Sequence, residues 1–149
     1  MKALIQRVRS ASVSVEGTVT GQIGHGLLVF LGACDADDTA AADKLLKKLV
    51  NLRIFADDAG KTNLSVSDVS GEILLISQFT LYANCKRGNR PSFIDAGSPD
   101  HAKGLYIYAL DCLNRQYQIH TEAGVFGAHM HVQLINDGPF TILLDTAEL

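Results

Sequence analysis

Alternating polar and apolar residues at the start of the chain predict two strands joined by a tight turn. A first strand covers residues 2 to 9, and Ser12 to Val15 alternate again before the Glu16-Gly17 turn pair. Thr18 to Thr20 resume the alternation after the turn, so we predict a β-hairpin. The continuous apolar run Leu27 to Leu31 is too short for a helix and indicates a buried strand.

Two segments place their apolar residues at helical spacing. The first starts at the capping residues Asp37 to Thr39 and carries lysines on its opposite face. The second starts at Ser98-Pro99-Asp100, which provides a cap, a proline at the first helical position and an early acid. The predicted apolar faces are Leu45, Leu46, Leu49 and Val50 in the first helix, and Ala102, Leu105, Tyr106, Ala109, Cys112 and Leu113 in the second.

The second half of the chain contains three further apolar segments. Glu72 to Leu81 is rich in Ile and Leu, and we predict a long central strand. Residues 84 to 98 lack any period, which is typical of a long loop, and loops of that length are usually functional. Two strands, His129 to Ile135 and Phe140 to Asp145, flank the segment Asn136 to Pro139.

Length and element order together predict one α+β domain over residues 1 to 149, with a mixed, barrel-like β-sheet and two main helices. Hydrophobic residues make up 47% of the chain and charged residues 19%, a composition typical of globular rather than disordered chains. The formal net charge of −3 excludes a molecule that is basic overall, so any contact with a nucleic acid must be local.

The cysteines and the N-terminus bear on the cellular compartment. The 3 cysteines are widely separated and form no CxxC pair, which argues against a disulfide framework and against a zinc ribbon. Charge appears too early in the chain for a signal peptide, and no apolar run approaches about 18 residues. We therefore expect a cytoplasmic protein that makes no membrane contact. No GxGxxG motif or P-loop is present, and we expect no cofactor and no metal.

Hydroxyl and amide side chains are concentrated in Ser77-Gln78-Phe79-Thr80, at the end of an otherwise apolar strand. The ends of strands commonly carry functional residues. A hydroxyl nucleophile needs a neighbouring base, however, and this segment contains none. The residues alone favour a role in which the two hydroxyls satisfy nearby backbone groups.

Asn136-Asp137-Gly138-Pro139 has the composition of an ordinary hairpin turn, and the residues alone favour that interpretation. The alternative is a rigid ligand-binding loop, whose carbonyls are free to accept hydrogen bonds from an amine. Both interpretations stay open on composition and spacing.

Positive charge is concentrated in one predicted loop, at Lys86, Arg87 and Arg90. Such a cluster suits contact with phosphates, and the alternative is an ordinary solvated loop.

Two histidines, His129 and His131, lie two positions apart on a predicted strand and therefore face the same way. A metal site can use that spacing, but no third ligand is apparent. We favour exposed histidines, with Met130, Val132 and Leu134 pointing inward.

Two segments carry specific motifs. Ser77 to Ala83 resembles SQFTLxA and Asn136 to Thr141 resembles NxGPVT, which are the signature motifs of the D-aminoacyl-tRNA deacylase family. The resemblance extends from the first strand to the C-terminus. One departure is visible, since Phe140 stands where the motif has valine, whereas Gly138 and Pro139 are retained.

The resemblance implies a homodimeric hydrolase that cleaves the ester between a D-amino acid, or glycine, and the 3′-terminal adenosine of tRNA. It also implies a cis bond between Gly138 and Pro139, in a loop that enters the pocket of the partner subunit. The two carbonyls are then expected to hold the substrate's α-amino group, while the rigid loop excludes an L side chain by overlap. Glycine has no side chain to exclude, so glycyl-tRNA is expected to be cleaved.

The resemblance implies roles for individual residues as well. The backbone N–H groups of Phe79 and Thr80 are expected to stabilise the oxyanion, and the 2′-hydroxyl of the terminal ribose to assist the reaction. The other expected roles are substrate binding for Ser77 and Gln78, contact with the adenosine for Phe126 and Met130, support of the Gly138-Pro139 loop for Arg7 and Asn136, and contact with tRNA phosphates for Lys86, Arg87 and Arg90.

Two other functions stay open. A non-catalytic RNA or amino-acid binding module would keep the basic loop and the amine-binding carbonyls, but would show no turnover. A metal-dependent hydrolase would use His129 and His131, and chelation would abolish its activity.

Overall fold

The computed structural model describes all residues from 1 to 149. Its elements are β1 (Lys2–Val15), β2 (Thr18–Ile23), β3 (Gly26–Gly32), α1 (Thr39–Val50), β4 (Phe55–Ala56), β5 (Thr62–Leu64), β6 (Glu72–Ser77), α2 (Pro99–Asp111), β7 (Thr121–Ala123) and β8 (Met130–Asp145). A 3₁₀ turn over Phe79–Tyr82 follows β6, and a π-helical turn over Cys112–Gln116 extends α2. Neither helix combines the length and the apolar character needed to cross a bilayer.

Six strands form one mixed sheet, in the order β2-β1-β3-β6-β7, with β8 paired to the other edge of β1. β1 is antiparallel to its three neighbours, whereas β6 is parallel to both β3 and β7. The sheet curls until β2 meets β7. The two strands come so close that a Cβ atom on Gly21 would lie only 2.8 Å from the Ala123 carbonyl oxygen. The predicted α+β domain with a mixed, barrel-like sheet and two main helices is therefore confirmed.

The C-terminal segment is one strand, where the sequence predicts two strands and a hairpin turn. β8 runs for 16 residues and pairs with β1 on both sides of Asn136–Pro139. Thr141 lies opposite Gln6 and Asn136 opposite Val8, so residues 137 to 140 bulge from the ladder opposite Arg7 alone. The hairpin interpretation is wrong because β1 is unbroken over 14 residues and offers a partner to both halves of β8.

The sheet separates two clusters of buried apolar side chains. The larger contains 24 buried residues from the strands and both helices, and the smaller contains 7 residues on the other face of the sheet. Neighbouring residues of β3 point to opposite clusters, since Leu27 and Val29 belong to the larger and Leu28 to the smaller. The smaller cluster also packs against Met130, Val132 and Leu134, which confirms that these three side chains point inward.

Both predicted helices form, and most of their predicted apolar faces are buried. Asp38 caps α1, since its carboxylate accepts a hydrogen bond from the Ala41 N–H at 2.9 Å. Pro99 opens α2 as predicted, but the hydroxyl of the preceding Ser98 donates to Asp35 at 2.9 Å and does not cap the helix. This hydrogen bond ties the start of α2 to the segment before α1.

β6 ends earlier than its apolar pattern predicts. The strand stops at Ser77, which lies opposite Leu31, and its parallel neighbour β3 stops at Gly32. With no strand alongside beyond that point, the chain coils into the 3₁₀ turn, where the Ala83 N–H donates to the Thr80 carbonyl at 3.0 Å. The short strands β4 and β7 escaped prediction because two or three residues carry no periodic signal.

Asp37 is a buried carboxylate just before α1. It pairs with the α-ammonium of Met1 at 2.5 Å, and it accepts hydrogen bonds from the Cys34 N–H at 2.7 Å and the Tyr82 hydroxyl at 3.2 Å. Burial acts to raise the pKa of Asp37, but the hydrogen bonds from Cys34 and the ammonium outweigh it and hold the pKa below its usual value. Burial, with the nearby carboxylate, raises the pKa of Tyr82.

Candidate functional site

A cleft of about 600 Å³ opens where β6 ends, between β3, α2 and the segment that joins β7 to β8. Of its 20 lining residues 13 are hydrophobic, so the cleft suits a ligand with an apolar or aromatic part. The predicted site residues that line it are Ser77, Gln78, Phe79, Phe126 and Met130. The structure thus brings the first motif together with the two residues expected to contact the adenosine.

Tyr106 lies in the inner wall of the cleft, and the sequence predicted only a core role for it. Its hydroxyl donates to the Leu75 carbonyl at 2.8 Å, and its ring lies 5.9 Å from the ring of Phe126. Burial raises the pKa of Tyr106 to about 12, so the hydroxyl is protonated at neutral pH. The residue therefore shapes the wall and holds Phe126, and it cannot serve as a base at pH 7.

The hydroxyl of Thr80 is occupied by a neighbour in the same motif. The Gln78 Nε2 atom donates a hydrogen bond to the Thr80 Oγ1 atom, and this is the only side-chain hydrogen bond of that hydroxyl. No carboxylate, imidazole or amine is positioned to take its proton. The geometry agrees with the absence of a base within the motif, so nothing activates the Thr80 hydroxyl as a nucleophile.

Phe79 presents two different features at the mouth of the cleft. Its N–H and that of Thr80 open the 3₁₀ turn, where backbone N–H groups have no partner inside the turn. Its ring is 57% exposed and meets the ring of Phe93 edge to face at 5.1 Å. The backbone thus offers donors, while the ring extends the apolar wall toward solvent.

The second motif forms a tight bulge on β8. The Gly138–Pro139 peptide bond is cis, and both residues are exposed. The Asn136 Nδ2 atom donates to two carbonyls, that of Arg7 at 2.9 Å and that of Phe140 at 3.2 Å. One amide side chain, on the residue just before the bulge, therefore binds both the strand opposite the bulge and the last residue of the bulge.

Arg7 holds the same bulge through its guanidinium. The Nε atom lies 3.2 Å from the Asp137 carbonyl oxygen and 3.0 Å from Oδ2 of the same residue. One terminal nitrogen donates to the Gly138 carbonyl at 3.4 Å, and the other to the Ile54 carbonyl at 2.5 Å. The sequence did not single out Asp137 or Ile54, because neither contact has a signal in the spacing of the residues.

The three basic residues of the loop between β6 and α2 are Lys86, Arg87 and Arg90, all exposed. The loop is pinned at its base, where Asn84 and Ser92 exchange backbone hydrogen bonds at 2.8 and 2.9 Å. None of the three cations forms an ion pair. They do not line the cleft, whereas Phe93, which follows the base of the loop, does.

One residue of the histidine pair reaches the cleft. His129 lines it and His131 does not, both are exposed, and their rings stand edge to face at 5.0 Å. No group of three or more His, Cys, Asp or Glu side chains is arranged to hold a metal ion.

Gly138 and Pro139 do not line the cleft of their own chain. Residues of the two motifs therefore form two separate units, one at the end of β6 and one around Arg7. Within one chain, the carbonyls expected to hold the amine are not brought to the residues expected to stabilise the oxyanion.

The family described as D-Tyr-tRNA(Tyr) deacylase matches residues 4 to 145. This chain belongs to the D-aminoacyl-tRNA deacylase family. It is 50% identical over 149 residues to the D-aminoacyl-tRNA deacylase of Thermosipho melanesiensis, with 100% of this chain and 99% of that protein covered. It is 51% identical over 148 residues to the D-aminoacyl-tRNA deacylase of Fusobacterium nucleatum, with coverages of 99% and 97%.

Two solved structures resemble this family member. One, described as c-Myc DNA Unwinding Element Binding Protein, is 41% identical with a TM-score of 0.92, over 97% of this chain and 98% of that chain. The other, described as a probable eukaryotic D-amino acid tRNA deacylase, is 15% identical with a TM-score of 0.81, over 96% and 97% of the two chains. The second likeness is one of fold alone.

Proposed function

We propose that this member of the deacylase family hydrolyses the ester between a D-amino acid, or glycine, and the 3′-terminal adenosine of tRNA. The observation that carries the proposal is the pairing of an apolar cleft at the end of β6 with the Arg7-braced bulge at Gly138 and Pro139. The names and near 50% identity of the full-length relatives support the same activity. Because the proposed substrate is aminoacyl-tRNA, we expect the protein to act in the cytoplasm.

The proposed chemistry uses backbone groups and the substrate itself. The N–H groups of Phe79 and Thr80 stabilise the negative charge that develops on the ester carbonyl oxygen during attack. No side chain in the motif acts as the nucleophile, since the Thr80 hydroxyl contacts only Gln78. A water molecule attacks the ester carbonyl carbon, the bond to the ribose 3′ oxygen breaks, and that oxygen takes up a proton, so that the free amino acid and the 3′-hydroxyl of tRNA are the products. The 2′-hydroxyl of the terminal ribose assists the attack, and the enzyme contributes mainly orientation.

The adenosine occupies the apolar part of the cleft, against Phe126 and Met130, with Ser77 and Gln78 at the reacting end. Gly124 supports this arrangement, because a Cβ atom there would lie 2.5 Å from the Met130 sulfur and 3.1 Å from Ile76. A side chain at Gly124 would displace Met130, which lines the cleft. A glycine at this position leaves Met130 in its place.

Selection against L-amino acids is assigned to the bulge on β8. The carbonyls of Gly138 and Pro139 accept hydrogen bonds from the substrate's α-amino group, and the backbone beside them leaves no room for an L side chain. This filter works by overlap, so glycine passes it. Arg7 and Asn136 hold the bulge in place.

The filter and the cleft come together in a homodimer, with the Gly138-Pro139 bulge of one subunit entering the cleft of the other. Two observations support this arrangement. The bulge does not line its own cleft, and β8 pairs only with β1, which leaves its other edge free. Ile135 and Leu143 on β8 are 58% and 59% exposed, apolar surface that a two-fold interface would cover.

The basic loop is assigned to phosphates near the end of the acceptor stem. Lys86, Arg87 and Arg90 are exposed, free of carboxylate partners and next to the cleft, while the chain as a whole is acidic. Their contribution is expected to weaken as salt concentration rises.

The deciding experiment measures hydrolysis of matched D-tyrosyl-, L-tyrosyl- and glycyl-tRNA by the purified protein, with and without a chelator. The proposal expects cleavage of the first and third, protection of the second and no effect of chelation. Binding of D-tyrosyl-tRNA without turnover would favour the non-catalytic module. Loss of activity on chelation, restored by added metal, would favour the metal-dependent hydrolase.

A further inference from the structure

Phe140 stands where the NxGPVT motif that this chain resembles has valine, and it lies against Arg7. The Arg7 guanidinium carbon is 4.4 Å from the centroid of the Phe140 ring, within the range of a cation–π contact. A valine at this position would have no aromatic face. The departure therefore adds an interaction to the arginine that holds the bulge.

The remaining contacts of Arg7 leave one side of the guanidinium for this ring. Its nitrogens are committed to the carbonyls of Asp137, Gly138 and Ile54 and to the Asp137 carboxylate. The nearest other aromatic ring, that of Phe55, is more distant at 6.0 Å. These hydrogen bonds lie along the edge of the planar guanidinium, whereas the Phe140 ring packs against the cation itself. The ring thus adds a second restraint on the orientation of the guanidinium.

The environment strengthens the contact. The Arg7 side chain is only 12% exposed, and a cation over an aromatic face is attracted more strongly when water is excluded. The backbone of Phe140 is held as well, because its carbonyl accepts a hydrogen bond from Asn136, the same residue that binds the Arg7 carbonyl. One amide side chain thus joins the backbone that carries the ring to the backbone that carries the guanidinium.

We propose that Phe140 is a positioning residue for the Gly138 carbonyl, acting through Arg7. The inference rests on the proposed function, in which that carbonyl receives the substrate's amino group. The hydrogen bond from Arg7 to Gly138 is long, at 3.4 Å, so a small tilt of the guanidinium lengthens it beyond the usual range. Misplacement of a positioning group by about 1 Å can cost a large factor in rate.

The test compares three variants at the same position. F140L removes the aromatic face at similar volume, F140V restores the residue of the family motif, and F140Y keeps the face. We expect F140L and F140V to lower kcat/KM on D-tyrosyl-tRNA by about 3-fold to 30-fold, and F140Y to stay within about twofold of the parent. Rates are measured well below the melting temperature of every variant.

A second measurement separates positioning from simple packing. The substitution R7M removes the cation, so F140L should cause no further loss when it is added to R7M. A packing role predicts instead that F140L lowers activity equally in both backgrounds and in step with the melting temperature. Equal losses in the two backgrounds would overturn the proposal, as would an F140L enzyme with the parent's kcat/KM.

A third measurement does not depend on turnover. In NMR spectra of the isotopically labelled protein, the Arg7 Hε proton should carry a ring-current shift that F140L removes and F140Y retains. The ¹³C shift of the Gly138 carbonyl should move with it. A parent that binds but does not cleave D-tyrosyl-tRNA would refute the proposed function alone. Unchanged Gly138 and Arg7 signals in F140L would refute the role of Phe140, whatever the activity of the parent.

Discussion

The Asn136 Nδ2 atom donates a hydrogen bond of 2.9 Å to the Arg7 carbonyl, across the point where four residues of β8 bulge opposite a single residue of β1. The same nitrogen reaches the Phe140 carbonyl at 3.2 Å. A single amide therefore joins the two strands and both ends of the bulge. The position of Gly138 depends on this side chain as well as on the Arg7 guanidinium.

Asn136→Asp should displace the bulge while leaving the domain folded. The substitution replaces a donor by a carboxylate oxygen that faces two carbonyl oxygens, which removes two hydrogen bonds and adds repulsion, at a cost of about 1 to 2 kcal/mol in unfolding free energy. We expect deacylation of D-aminoacyl-tRNA to fall roughly tenfold or more.

Gln22→Glu is the matched control for that substitution, since it makes the same chemical change at an exposed position of β2, away from β8. It should retain parental activity. Kinetics and thermal melting of both variants check the prediction, and an Asn136→Asp enzyme with the parent's rate and selectivity would contradict it.

Thr80→Ala should retain deacylation within about tenfold of the parent. The hydroxyl contacts only Gln78, and the backbone donors of the 3₁₀ turn survive the change. Removal of a true nucleophile would instead cost on the order of 10⁴-fold or more.

Thr141→Ala provides the comparison for Thr80→Ala, because the Thr141 hydroxyl is exposed and accepts a hydrogen bond from Gln6 away from the cleft. Single-turnover assays and mass spectrometry of quenched reactions are the measurements. A covalent aminoacyl adduct on Thr80 would show that its side chain is the nucleophile and would refute the mechanism that uses backbone groups alone.

Charge placed on β8 should separate the subunits and abolish activity. Ile135→Glu or Leu143→Glu puts a carboxylate on the apolar surface that the proposed two-fold interface covers. Each variant should sediment as a monomer and lose deacylation, because the cleft of one subunit is completed by the bulge of the other.

Ile107→Glu tests whether the effect is specific to β8, since Ile107 is 53% exposed on α2. It should sediment with the parent and keep its activity. Analytical ultracentrifugation and deacylation assays at matched concentrations decide the matter. A monomeric variant with full activity would rule out the cross-subunit site.

The stability of the domain should fall in acid partly through Asp37. Its pKa is lowered in the folded state, so its contribution is complete above the unfolded value near 4 and is lost as the pH falls through the folded value. At pH 7, Asp37→Asn leaves the Met1 ammonium without its counter-ion and should cost roughly 3 kcal/mol, a drop in melting temperature of roughly 10 °C.

The gap in melting temperature between the parent and Asp37→Asn should narrow from pH 7 to pH 3. Glu148→Gln is the control, since Glu148 is exposed and forms no ion pair, and it should follow the parent at every pH. A gap that is the same at pH 7 and pH 3 would show that the carboxylate charge is not what stabilises the fold.

The elements with a strong hydrophobic period and the residues of the motifs could be predicted from the sequence alone. Leu45, Leu46 and Leu49 repeat at helical spacing and are buried on α1, and Pro99 marks the start of α2. Such signals are local, because a helix satisfies its backbone hydrogen bonds within one segment. The two motifs identified the family for the same reason, since each is a contiguous run of residues.

The ends of the strands and the contacts of the motif residues depend on how the chain folds in three dimensions. Ser77 is the last residue of β6 because β3 offers no partner further along, and residues 137 to 140 bulge because β1 continues past them. The contacts of Arg7 with Asp137 and Phe140 join residues more than 100 positions apart. Strand pairing and cation placement depend on partners that are distant in the chain, so no local pattern of hydrophobic and polar residues could specify them.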